Sequence, residues 1–271
     1  KDFSLVLPSR RTTVFVGSSG CGKTTLLRMV NRMVDPTGGQ VLIDDVDIAT
    51  GDKVELRRSI GYVMQHAGLL PHRTVLDNVA TVLRLNGVAK DEARERSLAI
   101  LPTVGLTESQ ADRYPGQLSG GQQQRVGVAR ALVSDPNILL MDEPFGAVDP
   151  IVRNELQQEL LRLQRELDKT TVFVTHDVDE AFLLGDQVVI LRTGGEIAQV
   201  GSPDEIMAHP ADDFVRSFVG LDKGARSLRV EDRDGVQVVV DGTGRATIYR
   251  DGEVMRVFAQ PVEGARLSSV F

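Results

Sequence analysis

The sequence predicts an α/β fold: a mainly parallel sheet alternating with helices, antiparallel β elements, an inserted α-helical subdomain and a short C-terminal β-rich tail. Three observations carry this. Short β-branched, apolar runs at 12–16, 137–141 and 171–175 are separated by helix-forming stretches, the alternation that builds parallel sheets with crossover helices. From 74 to 133 the texture turns helical throughout. Beyond Gly220, Asp-Gly pairs at 234–235, 241–242 and 251–252 punctuate short alternating runs, the pattern of a small β-meander.

In chain order, residues 3–8 alternate as an edge strand does, and Ser9-Arg10-Arg11 turns the chain toward the next strand. The run 12–16 reads as a buried strand. It leads into Gly17-Ser18-Ser19-Gly20-Cys21-Gly22-Lys23-Thr24-Thr25, which fits G-x-x-x-x-G-K-[ST], and helix formers follow at 26–30. Strand, loop and helix is the context of a phosphate-binding loop, so the core is expected to be a P-loop NTPase. Glycines let the backbone turn its N–H groups toward phosphates, and the helix N-terminus adds positive potential. Lys23 supplies a point charge for the β- and γ-phosphates, and Thr24 is placed to ligate Mg²⁺. The plainer alternative is a glycine-rich turn without a ligand; a dinucleotide fold would want G-x-G-x-x-G instead. Cys21 reads as a small filler in the loop. Breakers at Asp35-Pro36-Thr37-Gly38-Gly39 stop the helix, and 40–44 and 60–64 read as strands, the second leading to Gln65.

The insert shows helical spacing at Val75, Val79, Val82 and Leu83 and a charged helix through 91–96. Its last helix begins after Leu118-Ser119-Gly120-Gly121-Gln122, where Ser119 and two glycines make a natural N-terminus. The strand at 137–141 ends in Asp142-Glu143, acidic residues at the strand end where α/β sheets place ligands. Asp149-Pro150 opens a long amphipathic helix, 150–167, as cap and first-turn proline. The strand at 171–175 ends at His176, and residues 177–184 lead on to the next strands. Strands at 187–192 and 196–200 flank the Thr193-Gly194-Gly195 turn, and short helices start from Pro203 and Ala211. In the tail the expected strands are 236–240, 246–250 and 254–258. Two units are expected, 1–220 with its insert and a small segment 221–271.

Composition narrows the classes. With 41% hydrophobic and 25% charged residues, the 271-residue chain has ordinary globular usage and enough length for a sizeable core. The net charge of −7 lies in the first 220 residues, since 221–271 carry eight basic and eight acidic residues; no nucleic-acid partner is expected. One cysteine excludes an internal disulfide framework and suits a reducing compartment. No apolar run approaches a membrane span and no signal-peptide pattern opens the chain, so a soluble chain is expected. It begins at Lys1 without a methionine, and a segment upstream of it is expected.

Leu118-Ser119-Gly120-Gly121-Gln122, taken with the phosphate loop, resembles the signature of the ATP-binding-cassette (ABC) ATPases, over roughly 1–220. The resemblance implies ATP and Mg²⁺, and a composite site in which Ser119, Gly120, Gly121 and Gln122 act on ATP bound to a second copy of the chain. It makes Asp142 a Mg²⁺ residue, directly or through water, and Glu143 the general base that polarises the attacking water. Gln65 becomes the glutamine that senses Mg²⁺ and the lytic water, and His176 the switch histidine. Gly146-Ala147-Val148-Asp149 stands in the place of the family's S-A-L-D loop, with Asp149 coupling the two sites. The aromatic on which the family stacks adenine would precede Lys1. His66, His72 and His209 read as structural.

Residues 54–65, Leu69-Leu70-Pro71-His72, Arg113-Tyr114-Pro115 and 121–130 are similar to importers of glycine betaine and related quaternary-amine osmoprotectants, although His66 stands where that branch often has glutamine. Importers of amino acids or polyamines share many of these residues, and a soluble ABC ATPase outside transport is a further alternative. The importer resemblance implies a homodimer on the cytoplasmic face of the membrane, bound to integral permease subunits and serving, indirectly, a solute-binding protein. The groove near Gln65 to His72 is the expected dock for a coupling helix of the permease.

Overall fold

The computed structural model describes residues 3–222 except 147, together with the backbone of 229–233 and 236–240. Among the described residues the core is a six-stranded sheet ordered β4-β5-β6-β1-β7-β8. Its strands are β1 (Thr12–Gly17), β4 (Ile60–Val63), β5 (Ile138–Asp142), β6 (Thr170–Thr175), β7 (Gln187–Arg192) and β8 (Glu196–Gly201). All neighbours are parallel except β7 and β8, which form an antiparallel hairpin with a register shift at Ile190 and Leu191. This is the α/β fold, mainly parallel with antiparallel elements, that the sequence predicts.

The central strands read as continuous apolar runs because both faces of the sheet are covered. Val14 and Val16 of β1, Phe173 of β6 and Val188 and Ile190 of β7 point to one core. Phe15, Val172, Val174, Val189 and Leu191 point to the other, following the two-residue period of a strand. Helix α1 (Lys23–Val30) covers the second face with Leu27, while α6 (Pro150–Leu167) and α7 (Val178–Leu184) cover the first with Leu156, Leu160 and Phe182. Each such side chain contributes about 1.5–3 kcal/mol by leaving water.

Between β4 and β5 the chain forms α3 (Val75–Leu85), α4 (Lys90–Ile100) and α5 (Gly120–Leu132). Thr74 and Ser119 cap α3 and α5 with side-chain oxygens. The short helices α8 (Pro203–Ala208) and α9 (Asp213–Phe218) follow β8.

Three local readings are corrected. Residues 3–8 form no strand; Phe3, Leu5 and Leu7 pack on the face of the sheet, Phe3 edge-on to Phe15 with ring centroids 6.4 Å apart. Alternation reports which side chains are buried, and here burial is achieved without ladder pairing. The strand expected at 40–44 shrinks to β2 (Leu42–Ile43), which turns back through Asp44 and Asp45, both at positive φ, to pair with β3 (Val46–Asp47). The sequence reading also lacks α2 (Lys53–Ser59), capped by Asp52, which accepts from the Val54 and Glu55 amides. In the tail, β9 (Arg229–Arg233) and β10 (Val236–Val240) pair antiparallel; the runs 246–250 and 254–258 lie outside the described residues.

Candidate active site

Parallel register gathers the motifs. Val16 of β1 pairs with Thr175 of β6, Asp142 of β5 with Val174, and Val63 of β4 with Met141, so four adjacent strands end along one edge. The turns leaving that edge carry the phosphate loop, Gln65, Asp142 with Glu143, and His176. Ligands in open α/β sheets bind outside the carboxyl ends of the strands, and this is such a place.

The phosphate loop runs from Gly17, buried at the end of β1, over exposed Ser18, Ser19 and Gly20 to Gly22, the cap of α1. Gly22 has φ 105° and Gly20 φ 79°, a conformation that side-chain-bearing residues avoid. Cys21 is wholly buried, filling space beneath the loop beside Leu27. Lys23, only 5% exposed, folds back so that its Nζ donates to the Gly17 and Ser18 carbonyls at 2.8 and 3.1 Å. The cationic group thus stands inside the loop it is expected to serve. Thr25 is exposed on α1.

Thr24 donates its hydroxyl to Asp142 Oδ1 at 2.7 Å, joining the two residues assigned to Mg²⁺. Both are hard oxygen donors. Mg²⁺ is ordinarily held by one or two protein oxygens with phosphates and water completing the shell, so this pair fits that ion. The other oxygen of Asp142, Oδ2, accepts from the Tyr62 hydroxyl at 3.1 Å and lies 3.4 Å from Arg28. Burial pushes the Tyr62 phenol up from its ordinary value, which keeps it a donor at neutral pH.

Glu143 Oε2 lies 3.1 Å from His176 Nδ1 and 3.5 Å from the Gln65 amide, the latter at the outer limit of a hydrogen bond. The Glu143 backbone is left-handed, φ 45°, while its N–H still donates to the Val174 carbonyl at 3.0 Å. A non-glycine residue held this way stores about 1–3 kcal/mol, a cost met mostly at functional sites. Glu143 and His176 also line a cavity of about 10 Å³, together with Phe145, Arg153, Asp177 and Glu180, about the room of one water.

Two sequence-predicted groups stand apart. Among the described residues no hydrogen bond joins 119–122 to the phosphate loop. Gln122 N–H donates to Ser119 Oγ, Ser119 N–H donates to Gln122 Oε1, and Gly120 opens α5 exposed to solvent. Gly121 abuts α6, where an added Cβ would lie 2.3 Å from Val152 Cγ1. Asp149 caps α6 by accepting from the Ile151 amide at 2.9 Å; Ala147 lies outside the described residues.

Sequence reading missed the side chains that hold the Gln65 segment. Gln124 of α5 donates to the Met64 carbonyl, Arg130 to those of Ala67 and Gly68, and Asn78 of α3 to those of Leu70, Arg73 and Thr74. Burial lowers the pKa of Arg130. It missed Tyr62 and Arg28 as partners of Asp142 too, because neither sits in a motif with a spacing of its own.

Comparison with known proteins agrees with this geometry. The family model described as "ABC transporter" matches residues 1–146. The carnitine transport ATP-binding protein OpuCA of Listeria monocytogenes is 50% identical over 222 residues, covering 82% of this chain and 56% of that protein. The glycine betaine/carnitine/choline transport ATP-binding protein OpuCA of Bacillus subtilis is 52% identical over 209 residues, 77% of this chain and 55% of that protein. The chain therefore spans just over half the length of these relatives. A dimeric structure of the ATP-binding cassette MJ0796, in a post-hydrolysis state with ADP and Pi, superposes with a TM-score of 0.65 at 37% identity, covering 73% of this chain and 88% of that one. A matched family model over more than half the residues, relatives at half identity and a cassette of the same fold place the chain in one family: it belongs to the ABC transporters.

Proposed function

We propose that this chain is the ATP-hydrolysing subunit of an ABC importer for glycine betaine, carnitine or a related osmoprotectant. In this reading two copies form a homodimer on the cytoplasmic face of the membrane, docked to integral permease subunits that receive solute from a binding protein. The observation that carries it is the meeting of Glu143, His176 and Gln65 beside the Thr24–Asp142 pair, at the strand edge from which the phosphate loop springs. The names of the relatives supply the solute class.

Lys23 neutralises the β- and γ-phosphates, and the amides of 17–22 with the α1 N-terminus cradle them. Thr24 and Asp142, with Gln65 beside them, would hold Mg²⁺, which would supply positive charge to neutralise the phosphates. Glu143 takes a proton from the attacking water as its oxygen bonds to the γ-phosphorus. The bond from that phosphorus to the β–γ bridging oxygen breaks, and ADP leaves with the bridging oxygen, giving ADP and phosphate. His176 and Gln65, both within reach of the Glu143 carboxylate, set the direction of that acceptor. Ser119, Gly120, Gly121 and Gln122 complete the site from the second copy, and Asp149 joins the two sites. Among the described residues no hydrogen bond joins 119–122 to the phosphate loop, and Ser119 and Gly120 are exposed, in keeping with a role on a second copy.

ATP-driven uptake of radiolabelled betaine or carnitine, in vesicles carrying this chain with its permease subunits, tests the reading. Uptake that needs ATP and fails with Glu143→Gln is expected. ATP hydrolysis with no transport of any quaternary amine would remove the solute assignment and keep the ATPase.

A further inference from the structure

Asp142 is gripped from both sides. Thr24 takes Oδ1 at 2.7 Å, while Oδ2 accepts from the Tyr62 hydroxyl at 3.1 Å and faces the Arg28 guanidinium at 3.4 Å. The Asp142 side chain is 8% exposed, so these partners stand in for solvent rather than beside it. Tyr62 belongs to β4, whose parallel register with β5 sets Tyr62 against Leu140, two residues before Asp142. Its place is fixed by the sheet. Arg28 follows Thr24 by four positions on α1, and the two project from the same helical face. Its side chain is 47% exposed and positive at any working pH.

The two partners of Oδ2 have opposite consequences for a cation. A neutral phenol that donates to one carboxylate oxygen fixes the rotation of the group and aims the other oxygen, here at the Thr24 hydroxyl. A guanidinium on the same carboxylate adds a permanent positive charge and competes for the negative one. We propose that Tyr62 and Arg28 are opposed positioning residues for the divalent cation that accompanies the nucleotide: Tyr62 orients Asp142 toward the metal, and Arg28 holds the carboxylate as a counter-ion and weakens metal binding. The proposal rests on Thr24 and Asp142 being the metal's protein ligands.

Loss of a group that hydrogen-bonds a metal-ligating carboxylate typically costs ~10–100-fold in affinity, which sets the scale for Tyr62→Phe. Arg28 is half exposed and screened by water and salt, so Arg28→Gln should tighten binding by a smaller factor, about 3–10-fold. Loss of packing or of the fold in either variant would weaken binding, so tighter binding in Arg28→Gln is the readout that a merely structural role does not produce.

The test is Mn²⁺ binding to the full chain at a fixed concentration of a non-hydrolysable ATP analogue, read from the electron paramagnetic resonance signal of free Mn²⁺. Wild type, Tyr62→Phe, Arg28→Gln and Asp142→Asn are compared, with thermal melting to show that each is folded. Weaker binding in Tyr62→Phe and tighter binding in Arg28→Gln are expected. Tyr62→Phe within twofold of wild type, or Arg28→Gln equal to or weaker than wild type, overturns the proposal while Asp142→Asn still loses the metal. If Asp142→Asn binds Mn²⁺ as wild type does, the metal assignment itself falls and the proposal with it. Should Tyr62→Phe fold poorly, the sign of the change in Arg28→Gln decides alone.

Discussion

Asn78 offers the sharpest energetic test of how the segment between Gln65 and α3 is held. Its side chain is wholly buried, with Oδ1 accepting from the Leu70 amide at 2.7 Å and Nδ2 donating to the carbonyls of Leu70, Arg73 and Thr74 at 2.9–3.1 Å. Two of those carbonyls have other partners: Leu70 O accepts from the Arg73 amide, and Thr74 O from the Asn78 amide. Asn78→Ala therefore strips the partner only from the Leu70 N–H and the Arg73 carbonyl. At ~1 kcal/mol for each net bond, and somewhat more for the space vacated, the cost is about 2–3 kcal/mol. Asn78→Asp has nearly the same shape but turns an oxygen toward three carbonyl oxygens, so it should cost more than the alanine at pH 8, about 3–5 kcal/mol. The introduced carboxyl is held above its unfolded value, so the folded state binds its proton more tightly. Stability of that variant then falls as pH rises through the window above the ordinary aspartate range, and part of the loss is recovered at pH 5. Urea unfolding at pH 5 and 8, with hydrogen exchange of the Leu70 amide, measures both. Asn78→Asp as stable as wild type at pH 8, or Asn78→Ala within 0.5 kcal/mol of wild type, would refute the reasoning.

Further expectations follow from the same geometry. Glu143→Gln should keep nucleotide binding within about twofold and lower turnover by ~10²–10⁴, as expected for loss of a general base; phosphate release and nucleotide titration check it, and near wild-type release would sink the assignment. Gly121→Ala should destabilise by about 1–3 kcal/mol, because its Cβ meets Val152 Cγ1 at 2.3 Å; the added change Val152→Ala should recover most of that, and no recovery in the double variant would mean the contact is not the cause. Glu180 is buried against Gln157, which donates to it at 2.9 Å, and burial raises its pKa. Folding thus takes up a proton there, stability from this group is lost as pH rises above the ordinary glutamate range, and Glu180→Gln should flatten that part of the stability–pH curve without lowering the urea midpoint at pH 8.

The parts of the fold legible in the sequence were those with one dominant local cause. The start of Pro150–Leu167 was readable because Asp149 caps and Pro150 fits the first turn; the structure adds that the chain leaves helical geometry at Asp168, in the left-handed region. The strands around β1 were readable because burial on both faces makes them uniformly apolar. Residues 3–8 misled because alternation was produced by packing on a sheet face. The β2–β3 hairpin was missed because Asp44 and Asp45 make its turn without a glycine. At the candidate site, residues 17–25 were visible because a phosphate-binding loop needs fixed spacing along the chain, and 119–122 because they resemble the signature of a known family. The contacts of Tyr62, Arg28, Asn78, Gln124 and Arg130 were invisible for the complementary reason, even where the residue lies in a stretch similar to the importers: each acts on a residue or backbone segment that only the fold brings near.

That division bears on Gln65. Its segment is fastened from the side of the insert by Gln124, Arg130 and Asn78, all donating to backbone carbonyls between 64 and 74, most at 2.6–3.1 Å. Toward the sheet, the Gln65 amide reaches Glu143 at 3.5 Å, a contact near the limit of a hydrogen bond and accessible to water. Hydrogen bonds weaken steeply with length, whereas several short bonds on one backbone segment must break together. Any displacement of insert against sheet is then taken up first at the Gln65–Glu143 contact, while the segment keeps its place on α3 and α5. The side chain most exposed to such a displacement is thus one that touches the proposed general base, and the residues that set its position are three donors from the insert whose contacts with the segment only the fold shows.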